Sequence, residues 1–282
     1  KESVNPLFAK EQARKYANAQ NCRFVILTNG NQHYLWDLKR GNPNLISRFP
    51  TPDTIEGYSE FQPDTKDLIN EKIETDFVAK TQNPDFDKDP RWRDSQTKDE
   101  FIFNSGLRFL RHYQLRAVHR IQEEVKAGKD RFLFEMATGT GKTLTASAVI
   151  KLFLKTRNAS RVLFLVDRIE LEQQAEKDFK DYLKNDFSVC IYKDNRDDWR
   201  KSEVVISTVQ SLLSKNKYKR LFSPTDFNLV ISDEAHRSIN GNSRLVFEHF
   251  VGYKLGLTAT PKDYLKKIDS EALSEKDQRE LE

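Results

Sequence analysis

Phe132-Leu-Phe-Glu-Met-Ala-Thr-Gly-Thr-Gly-Lys-Thr143 decides the fold, because a short apolar run leads into a glycine-bearing turn and then into an Ala-rich amphipathic run. That order reads as strand, loop, helix, which is the setting a phosphate-cradling loop requires. Gly139 and Gly141 let the backbone curl so that successive N–H groups face inward, joined by those of Thr138 and Thr140. Lys142 can reach the outer phosphates as a point charge, and the Thr143 hydroxyl can ligate a magnesium ion. Met136 stands where the first glycine of the usual G-x-x-x-x-G-K-[ST] pattern would be, so a plain Gly-Thr turn competes with this reading while the loop is taken alone.

A second stretch removes most of that ambiguity. Asn228-Leu-Val-Ile-Ser232 reads as a buried strand and delivers Asp233-Glu234 to its carboxyl end, where open α/β sheets bind ligands. Two adjacent acids there can divide the work: Asp233 holds Mg²⁺, and Glu234 orients and deprotonates an attacking water. An isolated Asp-Glu would more simply be a solvated turn.

The rest of the chain supplies the frame. Its 282 residues suffice for one large or two modest domains. No apolar run approaches the ~20 residues that span a bilayer, and no secretory signal opens the chain. Two distant cysteines, Cys22 and Cys190, point to a reduced, cytoplasmic setting without a disulfide or zinc site. The net charge of +4 divides into −2 over residues 1–100 and +6 over residues 101–282, compatible with a polyanionic partner for the second part. Both ends read as mid-domain sequence, which suggests a fragment.

Glu11–Gln20 is helical in pattern and is followed by strands at Phe24–Thr28 and His33–Trp36 around an Asn-Gly turn. From about Gly41 to Asp99 the chain is polar and proline-rich, with only Leu68–Ala79 reading as helix, and is expected to connect two domains. A helix at Gln114–Ala127 precedes strands at 131–135, 162–166, 188–192, 203–207, 228–232 and 254–258, with helices at 142–155, 169–184 and 243–250. Strands separated by helical crossovers predict an α/β fold: a parallel sheet with helices on both faces.

Phe134-Glu-Met-Ala-Thr-Gly-Thr-Gly-Lys-Thr143, Leu163-Phe-Leu-Val-Asp-Arg168, Ser207-Thr-Val-Gln-Ser-Leu212, Asp233-Glu-Ala-His-Arg237 and Gly256-Leu-Thr-Ala-Thr-Pro261 resemble, in order and spacing, the superfamily 2 helicases and translocases. More narrowly they resemble the motor (R, HsdR-type) subunit of type I restriction endonucleases. That resemblance implies a RecA-like first motor lobe at 101–282, ATP and Mg²⁺ as cofactors, and double-stranded DNA as the track. Methyltransferase and specificity subunits would be its partners, and no membrane is involved. It places Gln114, beside Tyr113, at adenine. It places Arg168, Thr208 and Gln210 at the DNA backbone, with a structural ion pair from Arg168 to Asp167 or Glu172 as the rival reading. It makes His236, Thr258 and Thr260 the couplers of nucleotide state to DNA grip.

Gln12 and Tyr16, four apart on one helix face, resemble the Gln-x-x-x-Tyr motif of the RecB-like nuclease fold, so that residues 1–45 would be the C-terminal part of such a domain and 46–100 a linker. The family's metal-binding Asp and Glu-x-Lys would lie upstream, so this chain is expected not to cut DNA. With no second lobe after Pro261 to supply arginine fingers, slow hydrolysis is expected. A repair helicase of the same superfamily and a nucleic-acid-binding module with a weak ATPase are the alternatives.

Overall fold

The computed structural model describes residues 4–38, 43–46, 49–51, 55, 65–137, 139–196, 199–235 and 242–259. The front of the chain forms a helix, Lys10–Ala19, and a three-stranded antiparallel sheet, β1 (Phe24–Thr28), β2 (His33–Asp37) and β3 (Asn44–Ile46). Asn29 organises the first turn: its side-chain oxygen accepts from the N–H groups of Asn31 and Gln32 at 3.0 and 2.8 Å, and Gly30 adopts φ +95°. The loop is therefore four residues, 29–32, with Thr28 opposite His33. Asp37 is buried at the far end of β2, where the Arg23 guanidinium meets both of its oxygens at 3.0 and 2.9 Å. A charge leaves water at tolerable cost only with such a fork-like partner. β3 was not legible in the sequence, since three residues carry too little periodicity to show.

The larger sheet contains six strands, all parallel, in the order β4-β9-β8-β5-β7-β6. These strands are β4 (Arg131–Glu135), β5 (Val162–Val166), β6 (Val189–Ile191), β7 (Val204–Thr208), β8 (Leu229–Ser232) and β9 (Tyr253–Thr258). Each lies within a residue of its expected position, and the helices Lys142–Lys155, Ile169–Leu183 and Asn242–His249 match as closely. Alternating side chains divide between two cores, as the pleat requires. Val162, Phe164, Val166, Val204, Ile206, Leu229 and Ile231 face the helices His112–Lys126, Lys142–Lys155 and Ile169–Leu183. Leu163, Leu165, Val205 and Val230 face the opposite layer, with Leu212, Tyr218, Phe222, Val246 and Phe250. Strands buried on both faces read as continuous apolar runs; edge strand β4 alternates instead, with Arg131, Leu133 and Glu135 exposed.

The polar segment expected as a connection behaves differently from a linker over its described part. Its helices are Thr65–Asn70, Ala79–Gln82, Pro90–Arg93 and Lys98–Ser105, with irregular backbone in place of the single helix expected at Leu68–Ala79. Leu68, Ile73, Phe77 and Val78 are buried in the first core of the motor sheet. Polar side chains of the sheet's helices read this segment's backbone: Gln122 donates to the carbonyls of Leu68 (2.8 Å) and Glu71 (2.9 Å), Asn185 to those of Thr81 (2.7 Å) and Gln82 (3.0 Å). Lys151 is buried in the Lys142–Lys155 helix and donates to the Phe77 carbonyl at 2.8 Å and to the Thr81 hydroxyl. The proline-rich, polar composition hid this packing, because four apolar residues spread over eleven positions show no regular period.

Burying each of those four side chains is worth about 1.5–3 kcal/mol, together a sum comparable with the ~5–15 kcal/mol of a whole domain. A chain beginning at Thr65 is therefore expected to unfold cooperatively on heating, and one beginning at Arg108 to lack a cooperative transition. Equal melting temperatures for the two would refute the assignment of this segment to the motor lobe.

Candidate nucleotide site and the strand-end rim

A parallel sheet opens all its C-terminal strand ends on one rim, and the loops after β4 and β8 meet there with β9 between them. Met136 extends the β4–β9 ladder by one rung, its N–H donating to the Thr258 carbonyl at 2.8 Å. Its side chain is buried, so the residue that departs from the usual loop pattern is accommodated within the fold rather than exposed on the turn. Gly139 and Gly141 adopt φ +75° and +81°. Gly141 is doubly constrained, since a Cβ there would stand 2.5 Å from Gln114 Nε2. The Thr140 hydroxyl donates to the Ala137 carbonyl at 2.6 Å.

Gln114 is buried, and its amide is fully engaged. Its Oε1 accepts from the Arg111 N–H at 2.9 Å, and its Nε2 donates to the carbonyls of Thr140 at 3.0 Å and Gly141 at 3.2 Å. The Tyr113 hydroxyl donates to the same Thr140 carbonyl at 2.7 Å. The residue expected at adenine thus holds the glycine-bearing loop itself in this structure, together with Tyr113, which the same motif set beside it.

Lys142 opens the Lys142–Lys155 helix directly after Gly141. Its ammonium donates to Glu234 Oε1 at 2.7 Å and lies 3.7 Å from Asp233 Oδ1, joining residues 92 positions apart. Asp233 is tied to the sheet by its N–H, which donates to the Leu165 carbonyl at 2.8 Å, and its Oδ1 accepts from the Glu234 N–H at 3.0 Å. Burial pushes the Asp233 carboxyl above its usual range, against the opposing pull of Lys142. Glu234 adopts φ +52°, the left-handed region that a side chain ordinarily avoids at a cost of about 1–2 kcal/mol.

The donor set fits ATP with magnesium. The loop's backbone, the Lys142 ammonium and the Thr143 hydroxyl suit phosphate oxygens and one metal position, and a desolvated Asp233 carboxylate suits a cation held mainly by phosphate and water. Among the described residues no group of three or more His, Cys, Asp or Glu forms a separate metal cage. Thr138, His236 and Thr260, expected in the loop and the coupling set, lie outside the described residues. Thr258 is buried at the end of β9, beside the base of the loop.

Along the same rim, Arg168 precedes the Ile169–Leu183 helix with its side chain 69% exposed and only a 3.9 Å approach to Asp167. Gln210 is exposed and donates to Asp167 Oδ1 at 3.3 Å. Thr208, expected at that surface, is buried; its oxygen caps the Val209–Leu213 helix by accepting from the Ser211 N–H at 3.1 Å. Glu172, the rival partner of Arg168, is buried instead against Lys193 Nζ at 2.7 Å and the Thr208 N–H at 2.8 Å, locking three strand-end loops together. Nothing in the sequence marked Lys193, which is one of many lysines. In the front module the Gln12 amide donates to the exposed Tyr16 hydroxyl at 3.3 Å.

A parallel sheet carrying a glycine-bearing loop at one strand end, an Asp-Glu pair two strands away and a lysine joining them has the architecture of a RecA-like lobe of the superfamily 2 type. The chain belongs to the family described as type III restriction enzyme, res subunit, whose model matches residues 108–263. It is 34% identical over 176 residues to the type I restriction enzyme EcoAI endonuclease subunit of Escherichia coli, covering 59% of this chain and 21% of that protein. Against the EcoKI endonuclease subunit of the same species it is 31% identical over 188 residues, covering 57% and 16%. The chain thus spans about a fifth of the length of these curated relatives. Among solved structures, the SWI2/SNF2 ATPase core of Sulfolobus solfataricus, in complex with double-stranded DNA, aligns at 19% identity and a TM-score of 0.47 over 57% of this chain and 34% of that one. No helix among the described residues is long and apolar enough to cross a membrane.

The Asp233 carboxyl titrates higher in the folded chain than the ordinary 3.8, so the folded state binds the extra proton and stability falls as pH rises above that value. Asp233→Asn removes this cost. The variant is expected to be more stable than the parent near pH 7 by roughly 0.5–2 kcal/mol, with the difference vanishing below the ordinary carboxyl value, as read by urea denaturation across pH. Lower stability of the variant at neutral pH would show that Asp233 stabilises the fold.

Proposed function

We propose that this chain is the ATP-binding part of a type I restriction enzyme R subunit, which moves along double-stranded DNA by cycles of ATP binding and hydrolysis. The observation that carries the reading is the convergence of Lys142, Asp233 and Glu234 at 2.7 and 3.7 Å on the rim of a parallel sheet. Support for the type I branch comes from the curated relatives, both type I endonuclease subunits. In the full-length protein we assign DNA recognition to specificity and methyltransferase subunits, with cleavage by a nuclease domain of which Gln12 and Tyr16 form a tail. Its place of work would be the cytoplasm.

Each residue has a task in this reading. Backbone N–H groups of 138–141 wrap the phosphates, and Lys142 leaves Glu234 to neutralise the outermost one. Thr143 and Asp233 hold Mg²⁺, which when bound would screen charge between neighbouring phosphates. Glu234, freed of Lys142, takes a proton from the attacking water. Gln114 turns to the adenine edge by exchanging the carbonyls of Thr140 and Gly141 for the base. His236, Thr258 and Thr260 pass the nucleotide state to the rim, where Arg168 and Gln210 meet the DNA backbone and Thr208 fixes the loop that presents Gln210.

Glu234→Gln and Lys142→Ala in the full-length protein test the assignment. Glu234→Gln is expected to retain nucleotide binding while DNA-stimulated turnover falls about 10²–10⁴-fold, and Lys142→Ala to lose binding itself. Third-strand displacement from a triplex should stop in both. Turnover by Glu234→Gln within a few-fold of the parent would sink the proposal.

A further inference from the structure

Residues 204–225 contain no Asp or Glu, although 43 acids are spread through the 282 residues, and the same stretch holds Lys215, Lys217, Lys219 and Arg220. Elsewhere on this surface many cations sit beside carboxylates: Lys72–Glu74, Lys88–Asp85, Arg120–Glu123 and Lys180–Glu176 pair at 2.7 to 2.9 Å. Among the described residues no carboxylate pairs with Lys215 or Lys217. Lys215 and Lys217 thus present their charge to solvent, where an external polyanion can meet it.

This stretch is also built rather than loose. Leu212 on one side and Tyr218 and Phe222 on the other are buried in the second core, and Tyr218 packs edge-on to His249 at 5.2 Å. Between these anchors Lys215 and Asn216 take φ +54° and +51°, two consecutive left-handed residues neither of which is glycine. Both are exposed. Two consecutive left-handed residues make a tight turn of type I′ character, which Asn216 tolerates readily and Lys215 adopts at a steric cost. The strained turn holds a lysine outward between two core anchors.

Its position extends the rim. The Val209–Leu213 helix leads away from Gln210 and ends at Leu213, and Lys215 stands two residues beyond it in the turn.

We propose that Lys215 and Lys217 form a second phosphate-contacting patch that lengthens the Arg168–Gln210 rim, with duplex DNA as its partner. This rests on the DNA-motor reading above. The patch reads no bases; it adds charge at a fixed offset from the rim, and so grip and register on the backbone.

Fluorescence anisotropy of the chain on a duplex, across 50–200 mM salt, tests it. Lys215→Gln with Lys217→Gln is expected to lower the slope of log affinity against log salt by about 1.8, or 0.9 for each phosphate no longer neutralised. Over that range the parent then loses roughly twelvefold more affinity than the double variant. Arginine at both positions should restore the parent's slope, and glutamine at Lys72 and Lys184 should leave it unchanged. An unchanged slope in the Lys215/Lys217 variant, while Arg168→Ala lowers it, overturns this proposal and leaves the motor reading standing. Absence of salt-dependent duplex binding by the parent overturns both. A larger loss on single-stranded RNA or polyglutamate than on duplex would assign the patch to another partner.

Discussion

The constraint on which the rest depends is that all six strands of the larger sheet run the same way. Parallel strands cannot be joined by tight turns, so each must be followed by a crossover that returns to the opposite edge. Every strand's C-terminal end is thereby left on one rim with a loop free to vary. The phosphate loop, the acidic pair and the Arg168 and Gln210 loops share that rim because of strand direction, whatever their distance in sequence. With β9 between β4 and β8, the loop lysine is brought to within hydrogen-bonding distance of Glu234.

The site built on that rim is costly to the fold. Glu234 is held in left-handed backbone, and partial burial raises the Asp233 carboxyl above its usual range. Lys142 offsets part of both charges, so the three groups satisfy one another while no phosphate competes. Such a cluster is stable only as a set, since removing the lysine would leave two neighbouring carboxylates to repel each other at the edge of a dry core. Gln114 and Tyr113 brace the other side of the loop in the same way, through the carbonyl of Thr140. Strain kept at a functional site while the surrounding core supplies the stability is the pattern expected of a group poised to change partners.

How much of this was legible in the sequence follows from which forces are local. Strands β5, β7 and β8 are apolar runs bounded by polar turns, and period and composition suffice to place them. Lys142, Asp233 and Glu234 were legible because glycine spacing and a strand-end acidic pair are chemical requirements visible as residue types. Gln114 was legible as important but not in its contacts: an amide can serve a base or two loop carbonyls equally well. Thr208 shows the opposite limit, for its place in the motif says nothing about which way the hydroxyl turns, and its own short helix claims it. The connection was least legible. Its packing depends on Gln122, Lys151 and Asn185 finding backbone carbonyls 51 to 104 residues away, and no local pattern encodes such a match.

Those long-range contacts give the Lys142–Lys155 helix two distinct ends. Lys142 begins it at the phosphates. Lys151, nine residues on and about 13 Å along the axis, is anchored to Phe77 and Thr81, and Lys155 pairs with Glu71. The helix is buried along most of its length, so it can shift only as a body, and interiors packed to crystal density pass such shifts on to their neighbours. Lys142 and the anchors at Phe77 and Thr81 thus sit on one rigid buried element. The described part of the segment between the antiparallel front sheet and the motor core is therefore joined to the candidate nucleotide site through that one helix, and also through the Leu110 N–H, which donates to the Thr75 carbonyl at 2.7 Å four residues before Gln114.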